Sequence, residues 1–119
     1  MADDVLFIGW GCPIPGREQQ ALQVFTESMQ YWNRLQQQGD IDGFEAVSLG
    51  AHGGDLYGFA LLRADRAKLD QLSVSEDFVR HALRADLVVA RVSVVPAITG
   101  NKLIQAFAVW QQQISELAR

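Results

Sequence analysis

The hydrophobic positions along the chain follow two rhythms. In residues 5–10 (VLFIGW), 44–49 (FEAVSL), 56–63 (LYGFALLR) and 87–95 (LVVARVSVV) they form short runs rich in β-branched and aromatic side chains, bounded by Gly, Pro or Asp. That pattern predicts four β-strands, the last ended by Pro96. After the first run, Ala21, Leu22, Phe25, Met29, Trp32 and Leu35, with Ser28 among them, recur at intervals of three and four. This is the period of one buried helical face, and Gly39 stands where a left-handed C-terminal cap belongs. Asp65 is placed to cap a short helix holding Leu69 and Leu72. Ser73 or Ser75 is placed to cap another, with Phe78, Val79, Ala82 and Leu83 as its buried stripe and His81 exposed. A final helix is predicted over residues 99–117, carrying Leu103, Ile104, Phe107, Trp110, Ile114 and Leu117.

The order β-α-β-β-α-β plus a C-terminal helix is the α+β, ferredoxin-like arrangement with an antiparallel sheet. Right-handed crossovers place the strands in the order fourth, first, third, second, with both main helices on one face. A sheet so covered usually turns polar residues outward. Here the first strand is apolar on both faces, with Val5 and Phe7 on one and Leu6, Ile8 and Trp10 on the other, and much of the third strand is too. Leaving several such side chains in water forfeits roughly 1.5–3 kcal/mol each, so something covers the second face. Two candidates are open: the chain's own C-terminal helix, or a second copy of the chain.

The bulk properties narrow the class. At 119 residues, 49% hydrophobic and 20% charged, the chain is expected to be one domain over residues 1–119 with its own core. Acidic residues outnumber basic ones 14 to 10 and no Lys/Arg cluster occurs, which argues against a nucleic-acid partner. No apolar run reaches the ~20 residues of a membrane helix, and the first residues, with two acids, lack the basic region of a signal peptide. The single Cys12 has no disulfide partner in the chain, which fits a cytoplasmic location. The two histidines lie 29 positions apart and no Cys-x-x-Cys spacing occurs, so no metal or cofactor is expected.

The segments WGCPIPGRE, GAHGGDLYGFALLRADRAKLDQL and SEDFVRHALRADLVV resemble the dimeric α/β-barrel superfamily, and more narrowly an uncharacterised family of small bacterial proteins within it. The resemblance spans nearly the whole chain and implies a homodimer in which two ferredoxin-like subunits pack sheet against sheet. Such folds serve cofactor-independent monooxygenases, isomerases, haem proteins and ligand-binding regulators, and fold alone does not choose among them. A haem would require an axial histidine, for which His52 is a remote candidate.

Topology directs attention to one end of the sheet. The loop 10–17 and the glycine-rich loop 50–57 should meet there, gathering Trp10, Cys12, Arg17, His52, Asp55 and Tyr57. His52 is either a general base oriented by Asp55 or a surface hydrogen bonder. Cys12 is either a thiol activated at a helix N-terminus or a small buried residue before a proline. Arg17, disfavoured by the dipole in a first helical turn, meets a carboxylate or an anion. Arg91, polar in an apolar strand, faces a carboxylate in a cavity or interface, or lies at an exposed edge. The leading expectation is a homodimer that binds a small organic molecule between sheet and helices through Trp10, Cys12, Arg17, Tyr57 and Arg91. The alternatives are a monooxygenase or isomerase using His52 and Asp55 for proton transfer, and a purely structural interaction module.

Overall fold

In a computed structural model that describes residues 3–119, strand β1 (Asp4–Trp10) runs through the middle of the sheet. The helix α1 (Glu18–Gln37) follows, then β2 (Gly43–Ser48), β3 (Gly58–Arg63), the short α2 (Arg66–Ser73), α3 (Glu76–Asp86), β4 (Ser93–Ile98) and α4 (Gly100–Leu117). The strand order is β2-β3-β1-β4 and every neighbouring pair is antiparallel, as the ferredoxin-like reading predicts.

The register sorts the side chains. Leu6 lies opposite Leu62 and Pro96, Ile8 opposite Ala60 and Val94, and Trp10 opposite Gly58. These residues share the face that meets the helices, where Leu6 and Leu62 join Tyr31, Trp32 and Leu35 of α1, Leu69 and Leu72 of α2 and Phe78 of α3 in one buried core. On the other face stand Val5, Phe7, Val47, Phe59, Leu61, Val95 and Ala97, and the rings of Phe7 and Phe59 stack at 5.5 Å between centroids.

Local chemistry sets the helix ends. Gly39, at φ +82°, follows α1 in the left-handed region open to glycine, and its N–H closes on Gln36 O. Ser75 caps α3, its hydroxyl accepting from the Phe78 N–H at 3.3 Å. Ser73 instead donates to Asp70 O.

Four details depart from the sequence reading. The fourth strand is residues 93–98, not 87–95. Residues 87–90 instead leave α3 and zip onto the loop after β1, through Gly11 N–H to Ala90 O (2.7 Å), Ala90 N–H to Cys12 O (2.8 Å) and Ile14 N–H to Val88 O (2.9 Å). Arg91, at φ +57°, breaks the extended run there. Pro96 lies within β4, tolerated because β4 is an edge strand that needs only one ladder. The buried face of α1 is turned, with Val24 and Tyr31 inside and Leu22 60% exposed. In α3 only Phe78 is fully buried. Val79 and Leu83 are exposed and His81 is half-buried, because the helix turns the His81 side toward α1.

Candidate functional site

The helical layer does not close completely on the sheet. Between β1, α1 and α3 lies a cavity of about 340 Å³, within the range of small-molecule sites. Its floor is Ile8, Trp10 and Val94 from the sheet. One wall is Ala21, Phe25, Ser28 and Trp32 of α1, the other Phe78, His81, Ala82 and Ala85 of α3. Val88 and Val89 close the end where the 87–90 segment is zipped to the loop after β1, and Tyr57 stands at the mouth. The lining is mostly apolar, with a few polar groups: the Ser28 and Ser48 hydroxyls, the Tyr57 phenol, the His81 ring and Glu18.

Why the wall holds this shape follows from what fixes α1 and α3. Arg84 grips Glu27 with a forked pair of hydrogen bonds, the shortest 2.8 Å, and joins the two helices beside the cavity. The His81 ring stacks on buried Tyr31, centroids 4.2 Å apart and planes 11° apart, with the Arg34 guanidinium 5.8 Å from the Tyr31 centroid. Burial, with the Arg34 charge adding to it, holds the His81 pKa below the usual imidazole value and so favours the uncharged ring. Burial likewise raises the Tyr31 phenol. The His81 Nδ1 atom is enclosed and has no hydrogen-bond partner among the described residues. At the floor, Gly58 is required. A Cβ there would stand 2.7 Å from Val47 O and 2.8 Å from the Trp10 indole, so the missing side chain leaves the space that indole fills.

The two loops meet as the topology predicts. The Tyr57 N–H donates to Trp10 O at 2.8 Å, and a Cβ on Gly11 would meet Ala90 O at 2.8 Å and Asp55 O at 3.1 Å. The residues singled out from the sequence nevertheless divide. Trp10 and Tyr57 line the cavity, whereas Cys12, Arg17, His52, Asp55 and Arg91 are exposed outside its lining.

His52 is engaged by its own loop: its Nε2–H donates to Leu56 O at 2.7 Å and its Nδ1 accepts from the Gly54 N–H at 3.1 Å. Asp55 lies 3.6 Å from Arg91 Nε in an exposed ion pair, and no hydrogen bond joins it to His52 among the described residues. Arg91 is therefore neither mid-strand nor in a cavity. The Arg17 guanidinium donates to Leu87 O, the C-cap of α3, where the helix dipole favours a cation. Among the described residues it forms no ion pair with a carboxylate. Cys12 is exposed rather than buried, and six residues before α1 starts it is outside the reach of that helix's dipole. The residues that the sequence reading missed are His81, Ser28 and Phe25. The three-and-four spacing placed Ser28 and Phe25 on the inner face of α1, but the gap between the helices, which makes them cavity wall, leaves no periodic trace.

Among the described residues, no group of three or more His, Cys, Asp or Glu side chains is placed to hold a metal ion, and no helix is long and apolar enough to cross a membrane.

No protein-family model and no curated protein matches the chain. Solved structures do. SnoaB from Streptomyces nogalater, a cofactor-independent oxygenase, superposes with a TM-score of 0.56 at 16% identity, covering 84% of this chain and 96% of that one. A dabb family protein with a ferredoxin-like fold from Mesorhizobium loti gives 0.63 at 12% identity, covering 82% and 98%. A dimeric protein of unknown function and ferredoxin-like fold from Bacteroides fragilis gives 0.59 at 10% identity, covering 81% and 96%. The chain thus has the ferredoxin-like fold. At these identities the likeness is one of fold.

Proposed function

We propose that the protein is a cytoplasmic homodimer that binds a small, largely apolar organic molecule in the cavity between its sheet and helices α1 and α3. The observation that carries the reading is the cavity itself: about 340 Å³ of mostly apolar space, floored by Trp10 and edged by a few hydrogen-bonding groups. Such a lining gains by excluding water from a ligand's apolar surface and orients it through the Ser28, Ser48 and Tyr57 hydroxyls. The dimer draws on the apolar outer face of the sheet and on a structural neighbour described as dimeric.

Titration with 8-anilinonaphthalene-1-sulfonate, an aromatic probe, tests the binding. Its emission should rise saturably at one site per chain and be excited by energy transfer from Trp10 and Trp32. Ala82→Leu, which narrows the cavity without touching any exposed face of the sheet or α4, should abolish that signal. A signal unchanged by Ala82→Leu would place the dye on an outer surface and refute the reading.

The alternative, a cofactor-independent monooxygenase or isomerase with His52 and Asp55 moving protons, is favoured by one observation: SnoaB, an oxygenase of that kind, shares the fold. Against it stand the hydrogen bonds that occupy both ring nitrogens of His52 and the Asp55–Arg91 pair. Binding without chemistry is therefore the better-supported reading.

A further inference from the structure

Helix α4 contributes no residue to the lining of the cavity. It carries 18 residues, and every one is exposed. Among the described residues no other helix or strand packs along it. The consequence is visible in the outline: the radius of gyration is 16.6 Å and the longest dimension 55 Å, against a radius of about 13.5 Å for a compact chain of this length.

The exposed surface of α4 is not the surface of a solvated helix. From Leu103 to Ser115 it carries no charged residue. Leu103, Phe107, Trp110, Ile114 and Leu117 recur at intervals of four, three, four and three, which is the 3.5-residue seam of a helix that packs against another element along a narrow stripe. Phe107 is 55% exposed and Trp110 64%. An 18-residue helix held only at its first turn is marginal in water beyond that turn, so the seam needs a partner for the helix to persist.

The chain's own sheet is not that partner, because the root of α4 is held. The Thr99 N–H and hydroxyl both donate to Asp3 O, at 2.7 and 2.9 Å, and Arg63 donates to the Thr99 hydroxyl. Lys102, in the first turn of α4, pairs with the buried Asp4 carboxylate, which Arg66 also holds at 3.2 Å. These contacts fix the direction in which α4 leaves β4, away from the body.

We propose that α4 is an arm that packs its Leu103–Phe107–Trp110–Ile114–Leu117 seam on a second copy of this chain. The inference rests on the homodimer reading above and adds what holds the dimer. Four strands about 4.8 Å apart and about 20 Å long present ~400 Å² of sheet in projection, which is short of the ~800 Å² that a standard stable interface takes from each partner. An arm about 27 Å long and ~10 Å wide adds about 270 Å², so sheet and arm together approach that size. A second copy also explains why one chain leaves two apolar surfaces uncovered: each has its match on the other molecule, the self-complementary condition of a two-fold dimer.

The test compares self-association of the full chain, of the chain ended after Thr99, and of the full-length double variant Phe107→Ser/Trp110→Ser by sedimentation over a concentration series. Amide hydrogen exchange of residues 104–117 is followed alongside. The arm predicts a full-length dimer at micromolar concentration, at least 100-fold weaker association in both altered chains, and α4 amides whose protection rises with protein concentration. A dimer whose affinity is the same in all three, or whose α4 amides exchange at the rate of an unpacked helix, overturns the arm and leaves the homodimer reading standing. A monomeric full chain overturns both. The double variant keeps the test sound should the shortened chain fail to fold.

Discussion

Ala82→Leu is the sharpest probe of whether the space between the sheet and the helices is real. Ala82 is half-buried on the α3 wall of the cavity. Leucine adds three carbons there, worth ~2.4 kcal/mol if fully removed from water at ~0.8 kcal/mol per methylene. Because the cavity is open at its Tyr57 mouth, about half of that is a fair gain, less ~0.5 kcal/mol or so for the leucine rotamers that must be fixed. The net is a stabilisation of about 0.5–1 kcal/mol, or a rise of about 2–5 °C in the thermal midpoint of a domain this size. If no cavity existed, the same three carbons would overpack the interface between α1 and α3 and cost ~1–3 kcal/mol. The two outcomes differ in sign, so a thermal melt followed by far-ultraviolet dichroism decides between them.

The same substitution bears on binding. Three carbons at about 30 Å³ each, the share of a water molecule in the liquid, reduce a 340 Å³ cavity to about 250 Å³. That is below the ~300 Å³ lower end of small-molecule sites. A stabilised protein that no longer binds the aromatic probe is the expected result. A lowered midpoint with binding intact would refute both the volume and its use.

Three other perturbations read other parts of the design. Gly58→Ala puts a Cβ 2.7 Å from Val47 O and against the Trp10 indole, so it should lower the urea midpoint by the equivalent of ~1–3 kcal/mol and blunt probe binding by displacing the cavity floor; a neutral result would show that Trp10 does not lie there. Asp4 is held below its ordinary pKa chiefly by the Lys102 hydrogen bond, against burial, with Arg66 assisting. Its contribution is thus present above about pH 3.8 and lost as pH falls through the folded value, so Asp4→Asn should flatten the acid limb of a urea-stability profile between pH 5 and 2. His81, lowered chiefly by burial, contributes stability above about pH 6.5 that is lost as pH falls through its folded pKa; His81→Phe should keep the stack on Tyr31 and remove that slope, and an unchanged pH 7 to 5 profile would place the ring in water.

Much of the fold was legible because its signals are local and agree with one another. Short runs of strand-forming residues bounded by turn residues marked the first three strands to within about two residues. Gly39 marked the end of α1 because glycine there enters the left-handed region, and the pair Ser73 and Ser75 marked the start of α3, where the Ser75 hydroxyl satisfies an otherwise unpaired N–H. The fourth strand was misplaced because LVVARVSVV is rich in strand-forming residues along its whole length, and only the long-range hydrogen bonds of residues 88–90 to the loop after β1 decide where the sheet begins. His81 was missed for a similar reason. Val79 and Leu83 look like a buried stripe, but α3 packs on α1 and α2, and Tyr31 of α1 captures the other side of the helix. The meeting of the two loops followed from topology, yet His52, Asp55 and Arg91 were free to find partners nearer than a ligand, and loop partners carry no periodic signature.

Strand β1 explains why this sheet has uses on both faces. Along one side, Ile8 and Trp10 floor the cavity; along the other, Phe7 is half-buried beside the fully buried Val5, and neither side contains a polar residue between Val5 and Trp10. Gly9 adjusts the outer side. A Cβ there would sit 2.6 Å from the Phe7 ring and 3.2 Å from Leu56, so the missing side chain lets the Phe7 ring lie down across the strand and stack on Phe59. Rings laid flat present a broad, shallow apolar surface, and packing against another sheet about 10 Å away requires that shape, whereas a ligand requires a recess. The recess is on the helix side, where Gly58 gives its space to the Trp10 indole and the walls stand apart. Two glycines on neighbouring strands thus shape the two faces differently: Gly58 leaves a hollow, which suits the proposed small-molecule ligand, and Gly9 leaves a level surface, which suits the proposed second chain.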